Sequence, residues 1–148
     1  MAGPDADPPR RSTGPPDRET LQLLERQLSA DPLVSTTAFE PDVYEPRTLV
    51  ADLDSSRYPP AVTAARLDVR WFESGDFSCH YLETHGTESN WECRWDRHPN
   101  GHDDRTHFHQ PPDGATVVDL DLPSVHPLDV YATVLTAIET RIDETWDS

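Results

Sequence analysis

Apolar positions change their period twice along this chain. Leucines recur at 21, 24 and 28 with helical spacing, after Asp17 as a cap and before Asp31-Pro32 as a stop. That pattern predicts a short N-terminal helix whose leucine stripe docks on something else. "LVSTTAF" and "TLVADL" follow as short β-prone runs separated by the proline-bearing "EPDVYEP", and "DSSRYPPAVTA" reads as a loop.

The middle of the chain switches to strict alternation. "ARLDVRWFESGDFSCHYLETHGTESNWECRWD" runs with period two over three segments, broken at Ser74-Gly75-Asp76 and His85-Gly86-Thr87. Folding each hairpin symmetrically about its glycine sets Trp71 opposite Cys79 and Val69 opposite Tyr81. In the second hairpin it sets Cys79 opposite Cys93, Tyr81 opposite Trp91 and Phe77 opposite Trp95. One face then holds Val69, Trp71, Phe77, Cys79, Tyr81, Trp91, Cys93 and Trp95, which is a core; a slip of one residue would scatter that set over both faces. On the other face this register puts Arg70, His80 and Glu92 in one row and Ser78 beside Arg94. "RTHFHQP" reads as a further short strand, sending His107 and His109 to the polar side and Phe108 to the core.

"HPLDVYATVLTAIETRIDETW" returns to helical spacing, with Tyr131, Leu135, Ile138 and Ile142 on one stripe thickened by Val134, and Pro127 at the first helical position. The predicted architecture is α+β: a curved antiparallel sheet, the C-terminal helix packed on its aromatic face, a short N-terminal helix, and the polar face open. A Pro/Asp/Gly-rich acidic tail, residues 1–16, precedes a single domain over residues 17–148, because the tail has too little apolar surface to order itself.

Charge adds a second constraint. The 148 residues carry 28 Asp+Glu against 12 Lys+Arg, a net charge of −16, and every cation is arginine. A lysine-free acidic surface suits a cytoplasm held at molar salt, where the Debye length falls to about 3 Å and self-repulsion is muted. Such screening means that net charge neither bars nor steers nucleic acid. No apolar run reaches the roughly 18 residues of a membrane span, and nothing resembles a signal peptide, so the expected location is the cytoplasm. Cys79 and Cys93 lack metal or redox spacing and read as buried thiols.

Candidate chemistry gathers in residues 94–114, "RWDRHPNGHDDRTHFHQPPDG", which hold His98, His102, His107 and His109 among Arg94, Arg97 and Arg105. Three readings are open. Imidazoles on a strand and its flanking loop suit a transition metal, but no established ligand spacing is present. Cleavage of RNA through its own 2′-hydroxyl needs a base, an acid and a cation for the phosphate, and requires neither metal nor cofactor. His107, His109 and Arg94 supply that trio, with Arg97, Arg105, His80 and His98 as substrate contacts. The third reading is a polar loop on a non-catalytic interaction module, with Asp96, His98 and Asn100 as turn formers.

"RWDRHPN" followed by "RTHFHQPPDG" resembles haloarchaeal members of the TumE-like family, toxins of toxin–antitoxin pairs. The likeness rests on Arg94, Trp95 and Asp96, then His98 and Pro99, then His107 and His109, with Arg97 standing where the family has asparagine. The resemblance implies a toxin held by an antitoxin protein of helix-turn-helix or similar type, with RNA as its target.

Overall fold

The computed structural model describes residues 14–98 and 106–147. Helix α1 (Arg18–Ser29) starts where Asp17 accepts from the backbone N–H of Thr20 at 3.0 Å, satisfying one of the helix's orphan donors. Seven strands follow: β1 (Val34–Glu40), β2 (Thr48–Leu53), β3 (Ala64–Trp71), β4 (Phe77–Thr84), β5 (Trp91–Arg97), β6 (Thr106–His109) and β7 (Val117–Leu120). Helix α2 (Pro127–Asp147) closes the domain, beginning at Pro127, where a missing N–H costs nothing. Each strand pairs antiparallel with its neighbour in sequence, so the sheet is one continuous meander, β1 to β7.

Both helices lie on one face of this sheet. Leu21, Leu24 and Leu28 of α1 and Val130, Val134, Leu135, Ile138 and Ile142 of α2 share one core cluster with Leu49, Leu67, Val69, Trp71, Phe77, Cys79, Tyr81, Cys93 and Trp95. The expected α+β architecture and its aromatic face are therefore present. Tyr131, expected within the stripe, sits at its margin, and its hydroxyl donates to the Gln27 carbonyl at 3.2 Å, tying α2 to α1.

The pairing register differs from the symmetric one by two residues in each hairpin. Trp71 faces Phe77, Val69 faces Cys79 and Leu67 faces Tyr81, because Phe72 and Asp76 close a tighter turn than a glycine-centred one. Gly75 is still needed there: its φ of +93° lies in the region that L side chains avoid. Cys79 faces Trp95 and Tyr81 faces Cys93, so the two thiols are not opposed, and Phe77 faces Arg97. A shift of two leaves every side chain on its expected face, whereas a shift of one would have inverted them all. The polar rows do change: Asp68, His80, Arg94 and His109 form one, and Arg70, Ser78, Asp96, His107 and Asp119 the next.

Candidate functional site

Strand alternation builds the site. Trp95 and Phe108 point to the helices, their ring centroids 5.2 Å apart, so Arg94, Asp96, His107 and His109 are turned to the opposite face. Within that face the organising group is Asp96, a carboxylate with no exposed surface although the face around it is wet. Three cationic or imidazole nitrogens converge on its Oδ2. Arg94 Nε donates at 3.0 Å, His98 Nε2 lies at 3.1 Å and His109 Nε2 at 2.8 Å. Among the described residues Asp96 Oδ1 has no hydrogen-bond partner.

Burial alone would favour the neutral acid at Asp96. The hydrogen bond from His98 and the charges of His98, His109 and Arg94 outweigh it, and the carboxyl is held below the ordinary aspartate value. The reciprocal effect appears at His98: the hydrogen bond to Asp96 raises its pKa against a smaller opposing effect of burial. The two imidazoles differ in access, since the His98 side chain is 55% exposed and that of His109 16%. Arg94 also covers the His109 ring, with Nη2 3.2 Å from Nε2 and 3.4 Å from Nδ1.

The remaining expected site residues fall at graded distances from this hub. His107 neighbours Asp96 across the β5–β6 pair, with its Nε2 3.7 Å from Asp119 on β7. His80 stands beside Arg94 and is held by Glu92 at 2.8 Å, a diagonal contact rather than a shared row. Arg97 alternates to the helix side at the sheet's end, where Asp76 binds its Nη1 at 3.3 Å, so it is not gathered with the histidines. Arg105 and His102 lie outside the described residues.

Asp96 is the organising group of this cluster that spacing alone undervalued. Its sequence signal was a charged residue on an otherwise wet face, indistinguishable from a turn former until burial singles it out. Among the described residues no group of three or more His, Cys, Asp or Glu side chains is arranged to hold a metal ion. The arginine 3.0 Å from Asp96 Oδ2 also opposes a cation at that point. No helix of the described residues is long and apolar enough to cross a membrane.

No curated protein matches the chain, and no solved structure matches it either. One family model, described as toxin TumE, matches residues 21–142.

Proposed function

The chain belongs to the TumE toxin family, and from that premise we propose that it is the toxin of a toxin–antitoxin pair, acting as a metal-independent ribonuclease at the Asp96 hub. The observation that carries this reading is that His98 and His109 meet one oxygen of a buried carboxylate, beside an arginine.

His109 is the general base. The Asp96 carboxylate favours the ring proton on Nε2 and leaves the Nδ1 lone pair for a ribose 2′-hydroxyl. As that hydroxyl loses its proton to Nδ1, its oxygen attacks the adjacent phosphorus, and the bond from phosphorus to the 5′-oxygen breaks. His98, whose pKa the hydrogen bond to Asp96 raises, gives its proton to the departing 5′-oxygen. The products are a 2′,3′-cyclic phosphate and a 5′-hydroxyl, and proton exchange with solvent resets both rings. Arg94 moves from the His109 ring to the phosphate, where a guanidinium stabilises the developing charge. His107 flanks this pair as a third imidazole. It reaches Asp119 rather than the Asp96 oxygen on which His98 and His109 converge, so His98 is the better placed acid.

The test is single-turnover cleavage of labelled RNA in molar KCl with EDTA. The parent should give cyclic-phosphate ends, while His98→Ala and His109→Ala should each lose roughly 10²-fold or more with the fold intact. Parent-like rates in both variants, or cleavage that returns only with Zn²⁺ or Mn²⁺, would overturn the assignment.

A second reading, a non-catalytic module bound by an antitoxin, draws on the apolar groove of ≈ 290 Å³ between α2 and strands β5 and β6. Trp91, Trp95, Phe108, Pro111 and Ile138 line it. That reading predicts antitoxin binding with no cleavage under any of these conditions.

A further inference from the structure

The polar face carries a second pair of side chains that the cleavage chemistry leaves unused. Arg70 stands in the same cross-strand row as Asp96, with only Ser78 between them. At about 4.8 Å per strand, its backbone lies roughly 10 Å from that of Asp96. The intervening serine is small, so nothing bulky rises between the two positions.

Among the nine described arginines, Arg70 belongs with Arg18, Arg26, Arg47 and Arg57, which have no carboxylate partner among the described residues, but it alone of these five lies in the row of Asp96. Arg66, Arg94, Arg97 and Arg141 each rest on a carboxylate, namely Asp68, Asp96, Asp76 and Glu83. Arg70 is exposed and, among the described residues, has no ion pair, although acids outnumber cations 28 to 12. Two residues along, on the same face, Phe72 is only half-buried, and the Arg70 guanidinium carbon lies 5.8 Å from its ring centroid. The large apolar side chains of β3 itself, Leu67, Val69 and Trp71, all face the helices.

We propose that Arg70 and Phe72 form a nucleotide subsite for single-stranded RNA, in which Phe72 stacks on a base and Arg70 grips a phosphate next to the scissile one. This rests on the ribonuclease reading of the Asp96 hub and extends it to how substrate is held. An aromatic ring accepts any base, and arginine's planar fork matches a phosphate. Both are contact-range interactions that survive when salt screens long-range attraction. The subsite therefore confers affinity and register along the strand without reading sequence.

The experiment uses the full chain, with a fluorescein-labelled single-stranded RNA of mixed sequence read by anisotropy. Binding is measured in a His109→Ala background, so that no substrate is consumed, and cleavage in the parent background. Arg70→Ala and Phe72→Ala should each weaken binding about fivefold or more. In cleavage they should raise KM and leave the saturating single-turnover rate unchanged. Arg70→Ala should also flatten the dependence of log affinity on log salt by about 0.7, one phosphate's worth. Phe72→Leu keeps the bulk without the ring face, and should lose affinity while melting at the parent temperature.

Unchanged affinity and KM in the Arg70 and Phe72 variants of a chain that still cleaves would overturn the subsite and leave the ribonuclease standing. Binding that depends on both residues in a chain that never cleaves would keep the subsite and overturn the chemistry. A parent that neither binds nor cleaves RNA would overturn both.

Discussion

Replacing Arg141 by alanine strands a charge in the core. Glu83 occupies a helix-facing position of β4 and has no exposed surface. Arg141 Nη2 and Nε donate to its two oxygens at 2.8 and 2.9 Å, and the Tyr81 hydroxyl and His85 Nε2 each lie at 2.7 Å. The same guanidinium sits 3.8 Å from the centre of the Trp91 ring. Removing one partner of a buried ion pair costs about 3–5 kcal/mol, because the other is left uncompensated. Tyr81 and His85 remain after the substitution, so the lower figure applies, roughly 3 kcal/mol. For a domain of this size each kcal/mol is worth about 2–4 °C, which predicts a fall in Tm of roughly 6–12 °C.

The pH dependence has a definite sign. Burial raises the Glu83 pKa, but the hydrogen bonds from Arg141, Tyr81 and His85 outweigh it and hold the carboxyl below its ordinary value of 4.5. A carboxyl depressed in the folded state stabilises fully above the ordinary value, and that stabilisation is lost as pH falls through the folded one. The gap between parent and Arg141→Ala should therefore be full at pH 7 and shrink in acid. Denaturant titrations followed by tryptophan fluorescence in molar KCl, at pH 7 and at stepped acidic values, measure it. A loss below 1 kcal/mol at pH 7, or a gap that does not narrow in acid, refutes the reasoning. Adding Glu83→Gln to the alanine variant should recover part of the loss.

Two further predictions concern single groups. Asp96→Asn removes the negative charge that strengthens the hydrogen bond to His98 and raises its pKa, so an NMR titration of the His98 ring should show its pKa falling. If His98 is the acid of the proposed cleavage, the limb of the rate profile that depends on its protonation should move to lower pH with it, and an unmoved titration would dissociate the two residues. Burial pushes the Cys79 and Cys93 thiols up to about 12, so the native chain should resist a disulfide exchange reagent at pH 8 and react only on unfolding; immediate reaction of either thiol would show that its strand is not sealed.

Much of this molecule is legible because β alternation is a parity code. Assigning Val69, Trp71, Cys79, Tyr81, Cys93 and Trp95 to one face needs only the period, and an error of two in register leaves it intact. Rows across the strands need the register itself, which turn geometry sets, so His80 was matched with Arg70 and Glu92 instead of Asp68 and Arg94. Strand β7 went unread because Val117–Leu120 is short and mostly exposed, with no apolar face to announce it. Glu83 was invisible for the opposite reason: a charge at a core position makes sense only once Arg141, distant in sequence, arrives from α2. Convergence of His107 and His109 with Arg94 on one face was readable from Phe108 alone, whereas the burial of Asp96 was not.

The strictly sequential strand order has a consequence for how the molecule comes into being. Every strand can zip onto the one made just before it, so the sheet needs no long-range crossover and should assemble by fast, local closure. Part of the apolar floor, however, is roofed by α2, the last described element to be synthesised. A nascent chain stopped before Pro127 would carry Asp96 and His109 on strands whose underside still exposes Tyr81, Cys93 and Trp95. On the ribosome, the polar face around Asp96 therefore has no finished core behind it until α2 lands.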